Sequence, residues 1–274
     1  MLEVKNLTIS FKMYDRLLNQ VIKDTIHHMS IEVNAGEIHA VVGSSGSGKS
    51  LLAHAVMDIL PENAIRGGEI FYEGKLLDKK LIKKLRGKEI SLIPQSIAYL
   101  DPLSKLSKQI FGKGYDKKKE DALLERFNLT KEDKEKYPFQ LSGGMARRAL
   151  IMSSVVDDAK LIIADEPTPG LNPKLAAEIL NVFRDFADSG KGVLLITHDV
   201  DLVCEVADRI SIFYGGTILE TLKVEDFLKG DDNIKHPYTK ALWAALPQNK
   251  FEAVDMQKLV LECEECGLPL PAAK

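Results

Sequence analysis

The stretch "VVGSSGSGKS", residues 41–50, decides the fold. It matches the spacing G-x-x-x-x-G-K-[ST] from Gly43 to Ser50. The run "IHAVV" before it reads as a buried strand, and "SLLAHAVMDIL" after it as a helix stopped by Pro61. A glycine-rich turn between strand and helix lets backbone N–H groups converge on an anion at the helix N-terminus. Gly43, Ser44, Ser45, Gly46, Ser47, Gly48, Lys49, Ser50 and Leu51 are therefore the expected cradle for nucleotide phosphates. Lys49 is expected to reach the β- and γ-phosphates, and Ser50 to ligate Mg²⁺.

Outward from this loop, four more apolar runs follow: "EISLIPQ", "KLIIADEP", "GVLLITHD" and "RISIFYGGTILE". Helical segments separate most of them, which predicts an α/β fold with a mostly parallel sheet covered on both faces. Upstream, "LEVKNLTISF" alternates as a strand through Leu2, Val4, Leu7 and Ile9, though not in perfect register. "MSIEV" and "GGEIFYEGK" read as further strands. From about Leu77 to Asp157 the chain is charged, helix-prone and poor in strand signals after Pro94, which predicts an inserted helical subdomain.

Ligands of open α/β sheets bind at the carboxyl ends of the strands. Three strand ends besides the glycine loop carry polar chemistry. Asp165 and Glu166 end "LIIADE"; two adjacent carboxylates after a buried strand are costly unless a cation or polar ligand offsets their desolvation. Asp165 is expected to hold Mg²⁺, and Glu166 to polarise an attacking water. His198 ends "LLITH" and Gln95 ends "ISLIPQ". A lone histidine is more often structural, but His198 occupies the same strand-tip position as Asp165, which favours a γ-phosphate contact. A second glycine loop, Leu141-Ser142-Gly143-Gly144-Met145, precedes a helix with an apolar stripe at Met145, Ala149, Met152 and Val156. That stripe leaves the helix N-terminus free to face an anion.

The bulk numbers limit the alternatives. The 274 residues are 45% hydrophobic and 28% charged, which is ample for a core, and the net charge of −3 gives no global basic excess for nucleic acid. The lysine clusters Lys79-Lys80, Lys83-Lys84 and Lys117-Lys118-Lys119 read as solvated helix faces. No signal-peptide pattern opens the chain and no apolar run of about 18 residues exists to span a bilayer. Three cysteines fit a reducing compartment, so the expected location is cytoplasmic.

The order of these motifs resembles the nucleotide-binding subunit of ABC transporters over nearly the whole chain. "GSSGSGKS" is similar to the family's Walker A loop, Gln95 to the start of its Q-loop, "LSGGM" to its signature, "LIIADE" to Walker B, "PGLN" to the D-loop and His198 to the H-loop. The resemblance implies a P-loop NTPase core, an N-terminal antiparallel β subdomain and a helical subdomain. It implies ATP and Mg²⁺ as ligands, with catalytic roles for Lys49, Gln95, Glu166 and His198, and metal contacts from Ser50, Gln95 and Asp165. Phe11 falls where the family stacks an aromatic on adenine; Tyr14 is the nearby alternative, and a plain buried strand residue is the other reading of Phe11. The resemblance also answers why one chain has two glycine loops. Two subunits pack head to tail, and Ser142, Gly143, Gly144 and Met145 of each cover the ATP held by the other.

"HPYTKALWAALP", from His236 to Pro247, and "QSIAYLDPL" look like segments of the oligopeptide, dipeptide and nickel importer ATPases. This implies a cassette over residues 1–230 and a helical tail over 231–274. It further implies two transmembrane permeases, an extracytoplasmic binding protein acting indirectly, and a place on the cytoplasmic membrane face. The second cassette is a related chain or a second copy. Asn172 stands where the family usually has Asp in the D-loop, which favours a related chain. A non-transport ABC ATPase, in DNA repair, translation or cofactor assembly, is the competing reading. The long coiled coil or second cassette such proteins tend to carry is not visible in this sequence. Cys263 and Cys266 form a C-x-x-C pair, short of the about four ligands a metal site needs.

Overall fold

The computed structural model describes residues 1–112, 115–155, 159–230, 232–249, 255–268 and 270. In chain order its strands are β1 (Leu2–Tyr14), β2 (Gln20–Val33), β3 (Ile38–Val42), β4 (Ala64–Tyr72), β5 (Lys75–Leu76), β6 (Ile90–Ile93), β7 (Leu161–Asp165), β8 (Gly192–Thr197), β9 (Arg209–Tyr214) and β10 (Thr217–Lys223). The helices are α1 (Ser50–Val56), α2 (Lys79–Leu85), α3 (Leu106–Ile110), α4 (Lys117–Arg126), α5 (Gly143–Val155), α6 (Pro173–Asp188), α7 (Val200–Cys204), α8 (Val224–Lys229), α9 (Pro237–Ala244) and α10 (Met256–Glu265).

The strands build two sheets. The N-terminal one is antiparallel, ordered β2-β1-β4-β5. The other is ordered β10-β9-β3-β8-β7-β6; β6, β7, β8, β3 and β9 run parallel, and β10 returns antiparallel as a hairpin. Every residue of β3, β7 and β8 is buried. Strands covered on both faces read as continuous apolar runs, which is why these three were legible in sequence. One apolar cluster lies between the two sheets and around α1. The other lies on the far face of the parallel sheet, under α5 and α6.

The imperfect alternation of β1 has a local cause. Leu2, Val4, Leu7 and Ile9 are all buried, but the register with β2 shifts between Val4 and Leu7. Asn6 takes a positive φ of 49° there, and its N–H donates to Ser30 Oγ at 3.0 Å. An extra residue at a bulge breaks the two-residue period. Helix α1 stops at Val56, short of Pro61 where the sequence placed its end. Asp58 turns to φ 50°, and the Ile59 N–H reaches back to the His54 carbonyl at 2.9 Å. A turn into left-handed backbone therefore ends the helix before proline can.

Within the stretch from about Leu77 to Asp157, the apolar run "EISLIPQ" supplies β6, which pairs with β7 in the parallel sheet. Between Pro94 and Val155 no strand occurs among the described residues; Val156 and Asp157 lie outside them. On α5, Ala149 and Met152 are buried as the stripe predicts and Met145 is half-buried. Ala146, Leu150 and Ile151 are buried too, so the covered face is broader than that stripe.

A polar chain crosses from one sheet to the other at His39, which is fully buried in β3. Its Nδ1 lies 2.6 Å from the Glu32 carbonyl oxygen and its Nε2 lies 2.8 Å from Ser211 Oγ. Burial pushes the imidazole down from 6.5 to about 4. The unfolded chain therefore takes up this proton first, and the stability held above pH 6.5 drains as pH falls toward 4. The expected loss from this group is about 2 kcal/mol at pH 5 relative to pH 7. Urea midpoints of the parent and of His39→Gln should differ in acid slope; equal slopes would show that His39 is not held neutral.

Candidate functional site

Strands β3, β8, β7 and β6 are parallel neighbours, so their carboxyl ends meet at one edge. The glycine loop leaves β3, His198 follows β8, Asp165 closes β7 with Glu166 next, and Gln95 lies two residues beyond β6. The loop glycines have different reasons to be glycine. At Gly43 a Cβ would stand 2.3 Å from the Phe213 carbonyl oxygen on β9. That position is set by packing inside the fold and not by a ligand.

Lys49 is 4% exposed. Its ammonium folds back over the loop, donating to the carbonyl oxygens of Gly43 and Ser44 at 2.8 Å each, and lies 3.9 Å from Glu166 Oε1. Burial pulls its pKa down, and Glu166 and Asp165 oppose that pull. Ser50 Oγ donates to Asp165 Oδ1 at 2.9 Å, so the two residues expected to share a metal are already in contact. Burial raises the Asp165 pKa, with the Ser50 bond acting against it.

Glu166 departs from ordinary backbone: φ is 48°, and its N–H bonds the Ile196 carbonyl at 2.8 Å. Left-handed backbone at a residue other than glycine costs about 1–3 kcal/mol and tends to occur at functional sites. His198 Nδ1 lies 2.7 Å from Glu166 Oε2, while half of the His198 side chain remains in solvent. Lys49, Asp165, Glu166, Ser50 and His198 are thus one connected cluster. Gln95 is not part of it: it is exposed, and it hydrogen-bonds neither Ser50 nor Asp165.

A cavity of about 510 Å³ opens beside the loop. Ser44, Ser45, Gly46 and Ser47 form one wall, and Phe11, Met13, His27 and Tyr214 stand among the others. Phe11 is half-buried in this lining and Tyr14 is exposed outside it, which separates the two aromatic candidates. Ser47 Oγ is buried without a hydrogen-bond partner, an orphan that a phosphate oxygen in the cavity would satisfy. The Leu51 N–H already bonds the Gly48 carbonyl at 3.0 Å, so it is not a free donor.

The second glycine loop has no such enclosure. Ser142 and Gly143 are exposed, and Ser142 Oγ accepts from the Met145 N–H at 3.3 Å. Asn172 Oδ1 accepts from the Leu175 N–H at 2.9 Å and so caps α6. Asp and Asn cap equally well, which gives the Asn172 departure a local account.

Sequence reading missed several residues. The cavity walls at Lys23, Thr25, His27 and Tyr214 come from two sheets and Asn63 from the turn before β4, and together they left no joint signal. Tyr214 in turn meets Tyr238 of α9 at a 4.7 Å ring separation, tying the tail to the cavity wall. Arg147 was legible in principle, because a charged residue three and four positions before the buried Leu150 and Ile151 lies on the covered helix face. Cys263 is buried and Cys266 exposed. No group of three or more metal-binding side chains occurs among the described residues. No helix among them is long and apolar enough to cross a membrane.

The phosphate loop, the carboxylate pair at a neighbouring strand tip and the histidine across from it define a P-loop nucleoside triphosphatase cassette. A family model described as ABC transporter matches residues 26–169. The chain belongs to that family and is one of its ATPase cassettes. It is 37% identical to the oligopeptide transport ATP-binding protein OppD of Bacillus subtilis, over 90% of this chain and 72% of the relative. It is 35% identical to the dipeptide transport ATP-binding protein DppD of Lactococcus lactis, over 90% and 73% respectively. Among solved structures, a dimeric ATP-binding cassette bound to ADP and Pi matches with a TM-score of 0.71 at 24% identity, covering 82% of this chain and 99% of that one. That likeness supports the α/β cassette fold with its N-terminal antiparallel sheet.

Proposed function

We propose that this chain is the ATP-hydrolysing subunit of a peptide importer, working at the cytoplasmic membrane face with two permease subunits. The reading rests on the transport names of its relatives, which favour peptide over nickel as cargo and transport over a soluble ABC role. Residues 1–230 serve as the cassette and 231–274 as the importer-type tail. The helical stretch before α5 is the surface offered to the permease.

In this reading ATP lies along the 510 Å³ cavity, with its base toward Phe11 and its phosphates on Ser44–Ser50. Lys49 exchanges its two carbonyl partners for phosphate oxygens. Mg²⁺, held by Ser50 and Asp165, with Gln95 joining on closure, would neutralise charge developing between the phosphates. Glu166 orients and deprotonates the attacking water, and His198 holds the Glu166 carboxylate in place and faces the γ-phosphate.

One observation carries the two-chain arrangement. Gly143 meets nothing within 4 Å of a built Cβ, Gly144 only ordinary contacts, and neither has a positive φ. Nothing inside the protomer requires glycine there, so a close approach from outside it does, and we assign that to the ATP of a second cassette. The partner is a related chain or a second copy.

The test is reconstitution with candidate permeases and a peptide-binding protein in vesicles. Turnover is expected to rise about tenfold when the binding protein is loaded with peptide. Turnover indifferent to permease and peptide, but raised by ribosomes or DNA, would overturn transport in favour of the soluble reading.

A further inference from the structure

Arg147 lies in the second turn of α5 and is 6% exposed. Its Nη1 donates to the Pro94 carbonyl oxygen at 3.1 Å. It makes no direct ion pair among the described residues, yet it feels the charges of both Asp165 and Glu166. A buried guanidinium without a paired anion is costly to keep. Apolar packing at this helix position would need no charge at all. The side chain reaches out of a covered helix face to one particular carbonyl, and that carbonyl belongs to the residue immediately before Gln95.

Proline holds its own φ near −65°, so the direction of its carbonyl sets the remaining backbone freedom through which the chain reaches Gln95. Fixing that carbonyl fixes where Gln95 begins. The same helix starts at Gly143, inside the second glycine loop. We propose that Arg147 is a positioning residue that clamps the Pro94 carbonyl to α5 and so sets where Gln95 and the Ser142–Met145 loop stand relative to Asp165. The inference rests on the roles given above to Gln95 and to that loop.

Gln95 is exposed and bonds neither Ser50 nor Asp165, and the clamp fixes the backbone point from which its side chain reaches out. Further along α5, Ser154 bonds Ser91 and Leu92 of β6, so Arg147 extends the tie between helix and strand to Pro94.

Arg147→Met tests this, because it removes donor and charge while keeping a long apolar stem. Amide exchange at residues 95–98 of the nucleotide-free protein should accelerate about tenfold, with β7 and β8 unchanged. Turnover number should fall about tenfold, with KM for ATP within about threefold. Exchange at 95–98 within about twofold of the parent, or an unchanged turnover number, overturns the clamp. If Arg147→Met does not fold, Arg147→Lys is scored on the same two readings, with about two- to fivefold effects expected because an ammonium lacks the guanidinium fork. Parent values in that variant overturn the clamp equally. A parent chain that does not hydrolyse ATP would instead sink the proposed function, and the exchange reading would still decide the role of Arg147.

Discussion

Glu166→Gln is expected to lower ATP turnover by about 10²- to 10⁴-fold, with nucleotide affinity within about threefold of the parent. The substitution removes the carboxylate assigned to deprotonate the attacking water while keeping side-chain length and shape. The left-handed backbone at residue 166, held by the N–H bond to Ile196, makes no demand that Gln cannot meet. The His198 nitrogen at 2.7 Å can bond an amide oxygen as it bonds a carboxylate. Ser50 and Asp165 stay in contact, so the pair proposed to hold Mg²⁺ is untouched. ATP then binds and remains, and the two-cassette form should accumulate on size exclusion with ATP. Single-turnover hydrolysis separates the chemical step from product release. A variant that hydrolyses at the parent rate would remove Glu166 as the base and leave water activation to another group.

Gly143→Asp should abolish measurable turnover, a loss of about 10²-fold or more, while nucleotide binding by the single chain stays within about threefold. The structure separates this effect from misfolding. A Cβ at residue 143 has open space around it, and Asp is favoured in the first turn of a helix. The fold should therefore tolerate the change, and the melting temperature should stay within a few degrees. In the proposed two-cassette arrangement, what fails is a carboxylate aimed at a phosphate from the partner, where charge repulsion replaces backbone N–H donation. Binding by fluorescent nucleotide and turnover by phosphate release are the two readings. Loss of binding in the isolated variant would place residues 142–145 at this chain's own nucleotide and end the cross-chain assignment.

The legible parts of this protein share one property: their signal is local. Residues 41–50 spell strand, turn and helix within one short stretch, and β7 and β8 announce themselves because burial on both faces leaves no polar position. Placing Asp165 and His198 at strand ends followed from the same runs. The topology rule for parallel sheets then brought those ends together without knowledge of any contact. The break in β1 at Asn6 and the early stop of α1 at Asp58 were illegible, because each depends on a positive φ that residues other than glycine rarely adopt.

The sequence by itself determined the cassette, the order of its motifs and the chemistry each strand end can offer, because residue type and spacing suffice for those. Only the tertiary structure decided how the groups are used at rest. It turned Lys49 onto the Gly43 and Ser44 carbonyls, joined Ser50 to Asp165 and Glu166 to His198, and left Gln95 outside that cluster. It built the cavity wall from two sheets and brought Arg147 to Pro94 across 53 residues of chain. Hydrogen bonds and buried charges of this kind depend on distances of a few ångströms between segments far apart in sequence. Those distances are set when the sheets and helices pack, and no local pattern of residues encodes them.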